Sequence, residues 1–362
     1  VPSVTDEAGS DGTSADEPSQ EPPWYATLPE DGPGPSVRWT SDAFEAELRD
    51  WVVDVLDGVG TELVALEAAH QRPWSTVWRA FAADGSTYWA KQNCPHQAFE
   101  TRLLVVLDAI APDRVVPVVA ADPERGLHLV PDQGRVFAET VGGDDLDAWC
   151  RIATEAMHLQ RDLVGHAADL VGAGVSVMRP AEAAAYVRAR VASLEALPEG
   201  DPRRMAPEVA DRLRRRLPDV AAWAADLDEL ALAENLVHND LHANNVFATP
   251  AGMRFFDFGD SVLAHPLSAL FIPLNVLLHR LETTPDDARL RRVADAGIEV
   301  WSDVVPVAQL RAALPAALHL GRLLRAESWL RVTATLTPPE LAEYGDAGTW
   351  WLGALGDEPP LT

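Results

Sequence analysis

Apolar residues recur at helical spacing between Asp42 and Leu56, with Phe44, Leu48, Trp51, Val52 and Leu56 on one face. Thr40 or Ser41 stands before them as a cap, and Gly58 stops the run. The pattern predicts one amphipathic helix. From Thr61 the period changes to that of strands, over 62–70, 75–82 and 86–92. Ala83-Asp84-Gly85 joins the last two as a hairpin turn. A helix over 97–111 follows, then short strands at 115–120 and 127–130. After Gly143 the spacing is helical almost throughout: 145–162, 180–196, 206–217, 218–233, 283–304, 307–333 and 338–346. The longest apolar run, near Leu267 to Leu278, is too short to span a bilayer and holds Pro273 and Asn275, so it reads as a buried helix. No internal repeat is visible.

One stretch interrupts the helical half. Leu236-Val-His238-Asn-Asp240-Leu-His242-Ala-Asn-Asn245-Val-Phe247 reads as a tight loop leading into a strand. A turn at 249–252 and a second strand, Arg254-Phe-Phe256, then lead to Asp257-Phe-Gly-Asp260. Apolar residues bracket each polar cluster, which pins the polar loops to a buried hairpin. The hairpin holds Asp240, Asn245 and Asp257 close together. Asp240 is a carboxylate able to accept the proton of an attacking hydroxyl. Asn245 and Asp257 are hard oxygen donors suited to magnesium, which takes few protein ligands and completes its shell with phosphate oxygens and water. Those parts make up a phosphoryl-transfer site.

His238-x-Asp240-x-x-x-x-Asn245 followed by Asp257-Phe-Gly resembles the catalytic and metal loops of the kinase-like fold. The His-x-Asp-Leu-His-x-x-Asn form is most similar to the aminoglycoside phosphotransferase and choline kinase families. Protein kinases carry Arg where this chain has Asn239, and it has no activation-segment Ala-Pro-Glu. The resemblance implies that Asp240 is catalytic, that His238 packs beneath the loop and orients it, and that Asn245 and Asp257 are the metal ligands. His242 and Asp260 are implied to support these loops or touch the acceptor.

The same resemblance gives roles to earlier residues. Lys91 ends the third strand among apolar neighbours, and in the kinase-like fold that Lys reaches the phosphates and is held by a helix Glu. Glu100 is the fitting partner. Ser75 and Thr76, in the loop 70–77 between the first two strands, are expected to cover phosphate with hydroxyls and backbone N–H groups. Leu129 to Gly134 is expected to be the hinge, with Val130 and Asp132 offering backbone groups to adenine. The chain departs from the pattern in two places. No glycine-rich loop lies between the first two strands, and His265 and Ser268 stand where the commoner pattern has an Asp-Pro followed by an Asp. The loop 70–77, Phe255 to Asp260 and His265-Pro266 together look like an actinobacterial-type group of phosphotransferases. Trp329, Trp350 and Trp351 are candidates for an acceptor pocket or for core.

Composition narrows the classes. The chain has 362 residues, 47% of them apolar, enough for a sizeable core. Its formal net charge of −27 is opposite to that of a nucleic-acid binder. Cys94 and Cys150 are the only cysteines and form no CxxC, which argues against zinc and disulfide scaffolds and fits a reducing cytoplasm. No signal peptide is visible at the start of the sequence. The Arg212, Arg214, Arg215 and Arg216 cluster is spread round a helix as a solvated face.

The expected fold is α+β, a bilobal protein-kinase-like fold. A small five-stranded antiparallel sheet lobe with one helix spans 39–131, and a large mainly helical lobe spans 132–362. Residues 1–38, rich in Pro, Ser, Gly, Asp and Glu, read as a disordered tail in which Trp24 and Tyr25 float free. The expected activity is transfer of the γ-phosphate of ATP, with magnesium, to a hydroxyl of a small acceptor: aminoglycoside-like, sugar or amino alcohol. No nucleic acid or membrane partner is expected. The alternative is a degenerate kinase-like protein that binds nucleotide or a partner without catalysis.

Overall fold

The computed structural model describes residues 23–140, 142–143, 145–249 and 252–362. Two short helices open it: a 3-10 turn at Trp24–Ala26 and α1 at Pro35–Trp39, followed by α2 at Asp42–Gly58. Ser41 caps α2, its hydroxyl accepting the Phe44 N–H at 3.2 Å. Strands β1 (Leu63–Gln71), β2 (Ser75–Ala82) and β3 (Thr87–Asn93) lead to α3 (Phe99–Ile110), then β4 (Ala120–Asp122) and β5 (Leu127–Pro131). They form one antiparallel sheet in the order β1-β2-β3-β5-β4.

Cross-strand partners point to the same face of a sheet. Val77, Lys91 and His128 pair in register and share the face toward α3, where His128 Nδ1 and Thr101 Oγ1 lie 3.2 Å apart. Trp78, Ala90 and Leu129 share the other face and pack with Phe44, Leu48, Val52 and Leu56 of α2. Burying each of those four α2 side chains contributes on the order of 1.5–3 kcal/mol. The small lobe therefore has a core of its own, while Leu103, Leu104 and Leu107 of α3 belong to the larger core of the helical lobe.

The helical lobe contains α4 (Phe137–Thr140), α5 (Leu146–Asp162), α6 (Ala167–Gly172), α7 (Ala183–Glu195) and α8 (Pro207–Asp228). After the catalytic region come α9 (Phe271–Arg280), α10 (Ala288–Ile298), α11 (Val307–Thr333), α12 (Pro338–Tyr344) and α13 (Ala347–Gly353). Between α8 and α9, β6 (Asn235–Val237) pairs with β9 (Val262–Ala264), and β7 (Val246–Thr249) pairs with β8 (Gly252–Phe255). Among the described residues no helix is long and apolar enough to cross a membrane. The α+β bilobal architecture expected from the sequence is the one observed.

Several boundaries differ for physical reasons. The tail reading extended to residue 38; residues 1–22 lie outside the described residues, but from Pro23 the chain is docked. Tyr25 is buried, Trp24 Nε1 donates to Val177 O at 2.8 Å, and Gly32 N donates to Ala334 O at 3.0 Å. Trp24, Tyr25 and Tyr186 pack ring on ring, so these aromatics do not float. The strand expected at 115–120 is reduced to β4, because Val115 and Val116 are drawn instead to Phe255 of β8. The expected break before Pro218 is absent and α8 runs through it. Pro218 is exposed, so the carbonyl it leaves unpaired one turn back is open to water. The helix expected over 283–304 shortens to α10, since Asp287 caps it by accepting from Arg289 N.

Candidate active site

The polar loops between β6 and β9 meet the small lobe at one point. Lys91, on β3, donates to Glu100 Oε2 at 2.7 Å and to Asp257 Oδ1 at 2.5 Å. Glu100, fully buried on α3, also takes the Asn93 amide on Oε2, and its Oε1 accepts the Phe258 N–H at 2.9 Å. One buried carboxylate thus ties β3, α3 and the Asp257 loop together. Burial alone would push the Glu100 carboxyl up, but the Lys91 ammonium, with His128 behind it, holds it at about 2. Burial would likewise discharge Lys91, yet Asp257 and Glu100 keep its pKa above the usual lysine range.

The direction of the Glu100 shift sets a pH window. A carboxyl with a lowered folded pKa adds stability that is complete above its unfolded value, near ~4.3, and is lost as pH falls through the folded value. Wild type should therefore lose more stability than Glu100→Gln between about pH 4 and pH 2. Urea unfolding midpoints at the two ends of that window check this. Equal losses in both proteins would refute the depressed carboxyl.

Two residues on the site side adopt left-handed backbone without being glycine: Asn239 with φ 62° and Asp257 with φ 65°. Such conformations cost about 1–3 kcal/mol each and persist only where the surroundings hold them. Asn239 is held by its amide, which donates to Leu324 O at 2.8 Å and Asp260 O at 3.1 Å. Asp257 is held by Lys91. The turn at Asn239 sends Asp240 toward the cleft. His238 lies beneath, 7% exposed, with its ring against Phe258. Its Nδ1 accepts the Asp240 N–H at 3.4 Å, so Nε2 carries the proton and donates to Phe256 O at 2.9 Å. Burial lowers its pKa and keeps the ring neutral, so His238 joins the two loops and does not face the cleft.

Asn245 Nδ2 donates to Asp240 O at 2.9 Å and reaches Asp240 Oδ2 at 3.3 Å. That use of the nitrogen leaves Asn245 Oδ1 as the free end. Asp257 spends Oδ1 on Lys91, and its side chain remains 44% exposed. Among the described residues no cluster of three or more His, Cys, Asp or Glu side chains could hold a metal unaided. Two hard oxygen donors and no third fit a small cation that arrives with phosphate oxygens of its own.

Arg325, on α11, is the site residue that sequence reading missed. Its Nη2 lies 3.0 Å from Asp240 Oδ1, and its Nη1 donates to Asp260 Oδ2 at 2.9 Å. Burial would raise the Asp240 carboxyl, but Arg325 first and His242 next hold it well below the usual carboxylate range. Asp260 also takes Gln97 Nε2 at 2.6 Å and the Ser328 hydroxyl, so it anchors the loop to both lobes. Nothing around Arg325 in sequence signals this. The sequence marks 307–333 only as a helix, and α11 is buried on nearly every face, so no polar stripe singles Arg325 out.

Three expected nucleotide contacts need correction. Thr76 is 1% exposed on the α2 face of β2 and takes the Trp78 indole N–H at 2.9 Å, so its hydroxyl does not reach phosphate. Ser75 lies in register with Asn93 on the face that carries Lys91, two positions away. In the hinge, Asp132 N donates to Thr87 O at 2.9 Å and its carboxylate accepts Trp89 Nε1 at 2.8 Å. That bond fixes the alternation along β5, so Val130 pairs with Trp89 and turns both backbone groups toward β3. By the same alternation the Pro131 C=O and, past the strand end, the Gln133 N–H are turned from β3, and the Pro131 oxygen accepts Gln133 Nε2 at 3.3 Å. Val130 keeps a side chain on the Lys91 face.

Trp74, from the loop between β1 and β2, packs edge-on against Trp329 of α11 at 5.5 Å and Tyr344 of α12 at 5.4 Å between ring centres. Arg325 lies over the Trp329 ring at 5.7 Å. Trp329 thus borders the site, whereas Trp350 is 61% exposed and Trp351 packs on Phe271.

Compared with curated protein sequences, the chain finds no match. Solved structures with the same fold include an ethanolamine kinase from Plasmodium vivax, at a TM-score of 0.58 and 11% identity over 81% of each chain. An amicoumacin kinase solved with AMP-PNP, Ca2+ and Ami gives 0.54 at 14% identity, over 90% of this chain and 96% of that one. A macrolide 2′-phosphotransferase from Brachybacterium faecium gives 0.50 at 20% identity, over 81% of this chain and 99% of that one. A family model described as the phosphotransferase enzyme family (APH) matches residues 81–304, more than half of the sequence, and the chain belongs to that family.

Proposed function

We propose that this protein is an ATP-dependent kinase that moves the γ-phosphate to a hydroxyl of a small molecule. The observation that carries the reading is the convergence of Lys91–Glu100, Asp257, Asn245 and Asp240 on one cleft between the lobes. Lys91 is the cation for the phosphates, positioned by Glu100. Asn245 Oδ1 and the outer oxygen of Asp257 would hold magnesium, which neutralises phosphate charge when bound. The adenine edge meets Pro131 C=O and Gln133 N–H, with the Val130 side chain beside it. Gln133→Pro removes that donor and should weaken ATP binding about three- to tenfold, the worth of one neutral hydrogen bond. Calorimetric titration checks it; unchanged affinity would place adenine elsewhere.

Asp240 stands on the acceptor side. Arg325 keeps it ionised, so it takes a hydrogen bond from the acceptor hydroxyl and orients it for in-line attack. A strong base is not needed early in a loose transition state. Candidate acceptors are aminoglycoside-like molecules, sugars and amino alcohols. The two cysteines, both unpaired, fit a reducing compartment, the cytoplasm.

The Arg325–Asp240 contact also favours a second reading, a degenerate kinase that binds nucleotide without turnover, because Arg325 occupies the oxygen an acceptor would use. A screen of hydroxylated metabolites and antibiotics for ADP release, run beside Asp240→Ala, separates the two. Acceptor-dependent release by wild type alone supports the kinase. Release by neither protein supports the degenerate reading.

A further inference from the structure

Behind the cleft lies a cavity of about 290 Å³ that contains none of the site residues described above. Its walls are mixed: Trp24, Leu28 and Pro29 from the docked N-terminal segment and Phe99 from the start of α3 give an apolar side, and Glu30, His96 and Ser176 give a polar rim. Its floor is charged. Arg190, Glu327 and Arg331 are 1%, 2% and 5% exposed. Arg190 and Glu327 neutralise each other at 2.8 Å, with Tyr186 Oη donating to the same Glu327 oxygen at 2.7 Å. Arg331 has no such carboxylate partner, and its guanidinium lies over the Phe99 ring at 5.3 Å. Among the described residues it forms no ion pair, its Nη groups donate only to the backbone carbonyls of Asp260 and Ser261, and its Nε has no acceptor. A buried cation without a counter-charge is costly unless something supplies one.

We propose that this cavity is a binding site for a small organic anion with a compact apolar or aromatic body. The anionic group lies toward Arg331, and the body lies between Trp24, Leu28 and Phe99. The volume is near the lower end for small-molecule pockets, which suits a single-ring ligand. The site is coupled to the cleft by direct contacts. Arg331 holds the carbonyls of Asp260 and Ser261, at the end of the Asp257 loop. Phe99 precedes Glu100. His96, also in the wall, donates from Nε2 to Glu30 O at 2.8 Å and precedes Gln97, whose amide holds Asp260. A ligand bridging these elements presses α3 and the Asp257 loop into the arrangement that holds Lys91, and so raises nucleotide affinity. Coupling is reciprocal.

Fluorine NMR of para-fluorobenzoate on the full chain tests the proposal, with ATP and magnesium at saturation to fill the cleft. Saturable line broadening is expected, with none for para-fluorobenzylamine. Ser176→Trp, which fills the cavity from its rim, should abolish it, and Arg331→Met should weaken it at least tenfold. If Arg331→Met does not fold, Ser176→Trp carries the test. In wild type, saturating para-fluorobenzoate should tighten ATP binding by about fivefold. Absent broadening, displacement by ATP, equal binding of the amine or unchanged binding in Ser176→Trp would each overturn the site. The fluorine readouts on wild type and Ser176→Trp need neither turnover nor ATP binding, so they stand or fall apart from the kinase reading.

Discussion

Asp240→Asn should bind ATP with magnesium as wild type does while acceptor-dependent ADP release falls by ~10²-fold or more, the loss expected for a group that positions and deprotonates a nucleophile. Asp257→Ala should differ in kind. Its carboxylate has one oxygen on Lys91 and one open to the cleft, so removing it takes away a metal donor and leaves Lys91 with Glu100 alone. Metal-dependent nucleotide binding and turnover should both disappear. The two variants share a fold and a cleft, and phosphoryl transfer asks the protein mainly for positioning and charge neutralisation. Calorimetry with ATP and magnesium, followed by turnover assays, separates them. Equal turnover in wild type and Asp240→Asn would reject Asp240 as the acceptor-side residue. Intact magnesium-dependent ATP binding in Asp257→Ala would reject the metal assignment.

Arg325→Met should destabilise the protein by about 3 kcal/mol, the low end for breaking a buried ion pair. The low end applies because Arg325, Asp240 and Asp260 keep 14%, 22% and 16% of their side-chain surface. The substitution leaves two carboxylates without the cation they share, so the acid limb of the turnover profile should move to higher pH as Asp240 loses the charge that holds it down. Adding Asp260→Asn should recover part of the stability, since only one carboxylate then lacks a cation. Denaturant unfolding of the single and double variants measures the coupling. A single variant as stable as wild type would show that Arg325 is solvated and not structural.

Much of the architecture was written in local patterns. The amphipathic run from Phe44 to Leu56, the Ala83-Asp84-Gly85 turn and the strand alternation around Lys91 are short-range signals, and each became the element it implied. The Asp240 and Asp257 loops were legible for the same reason. Their apolar flanks, Leu236–Val237 and Phe255–Phe256, are core, 1–3% exposed at Leu236, Val237 and Phe255, and a polar segment between two buried strands has one place to go. The Lys91–Glu100 pairing followed once the kinase-like resemblance set β3 beside α3.

What failed to show in the sequence depended on long-range contacts or on backbone parity. Thr76 and Ser75 are adjacent, but a one-residue step reverses the face of a strand, and only register decides which hydroxyl meets the cleft. Val130 and Asp132 were assigned to adenine, yet their position in the β3–β5 ladder commits Val130 and the Asp132 N–H to β3 and turns Pro131 and Gln133 outward. Trp24 and Tyr25 looked free because their partners, Val177 and Tyr186, lie some 150 residues away along the chain. Arg325 sits 85 residues after Asp240, on a helix whose residues are spaced no differently from any packed helix. The sequence by itself determined which segments are helix, strand and polar loop, because propensity and periodicity act over a few residues. Only the tertiary structure decided which charges meet, because a guanidinium and a carboxylate on separate elements are brought together by the packing of both lobes.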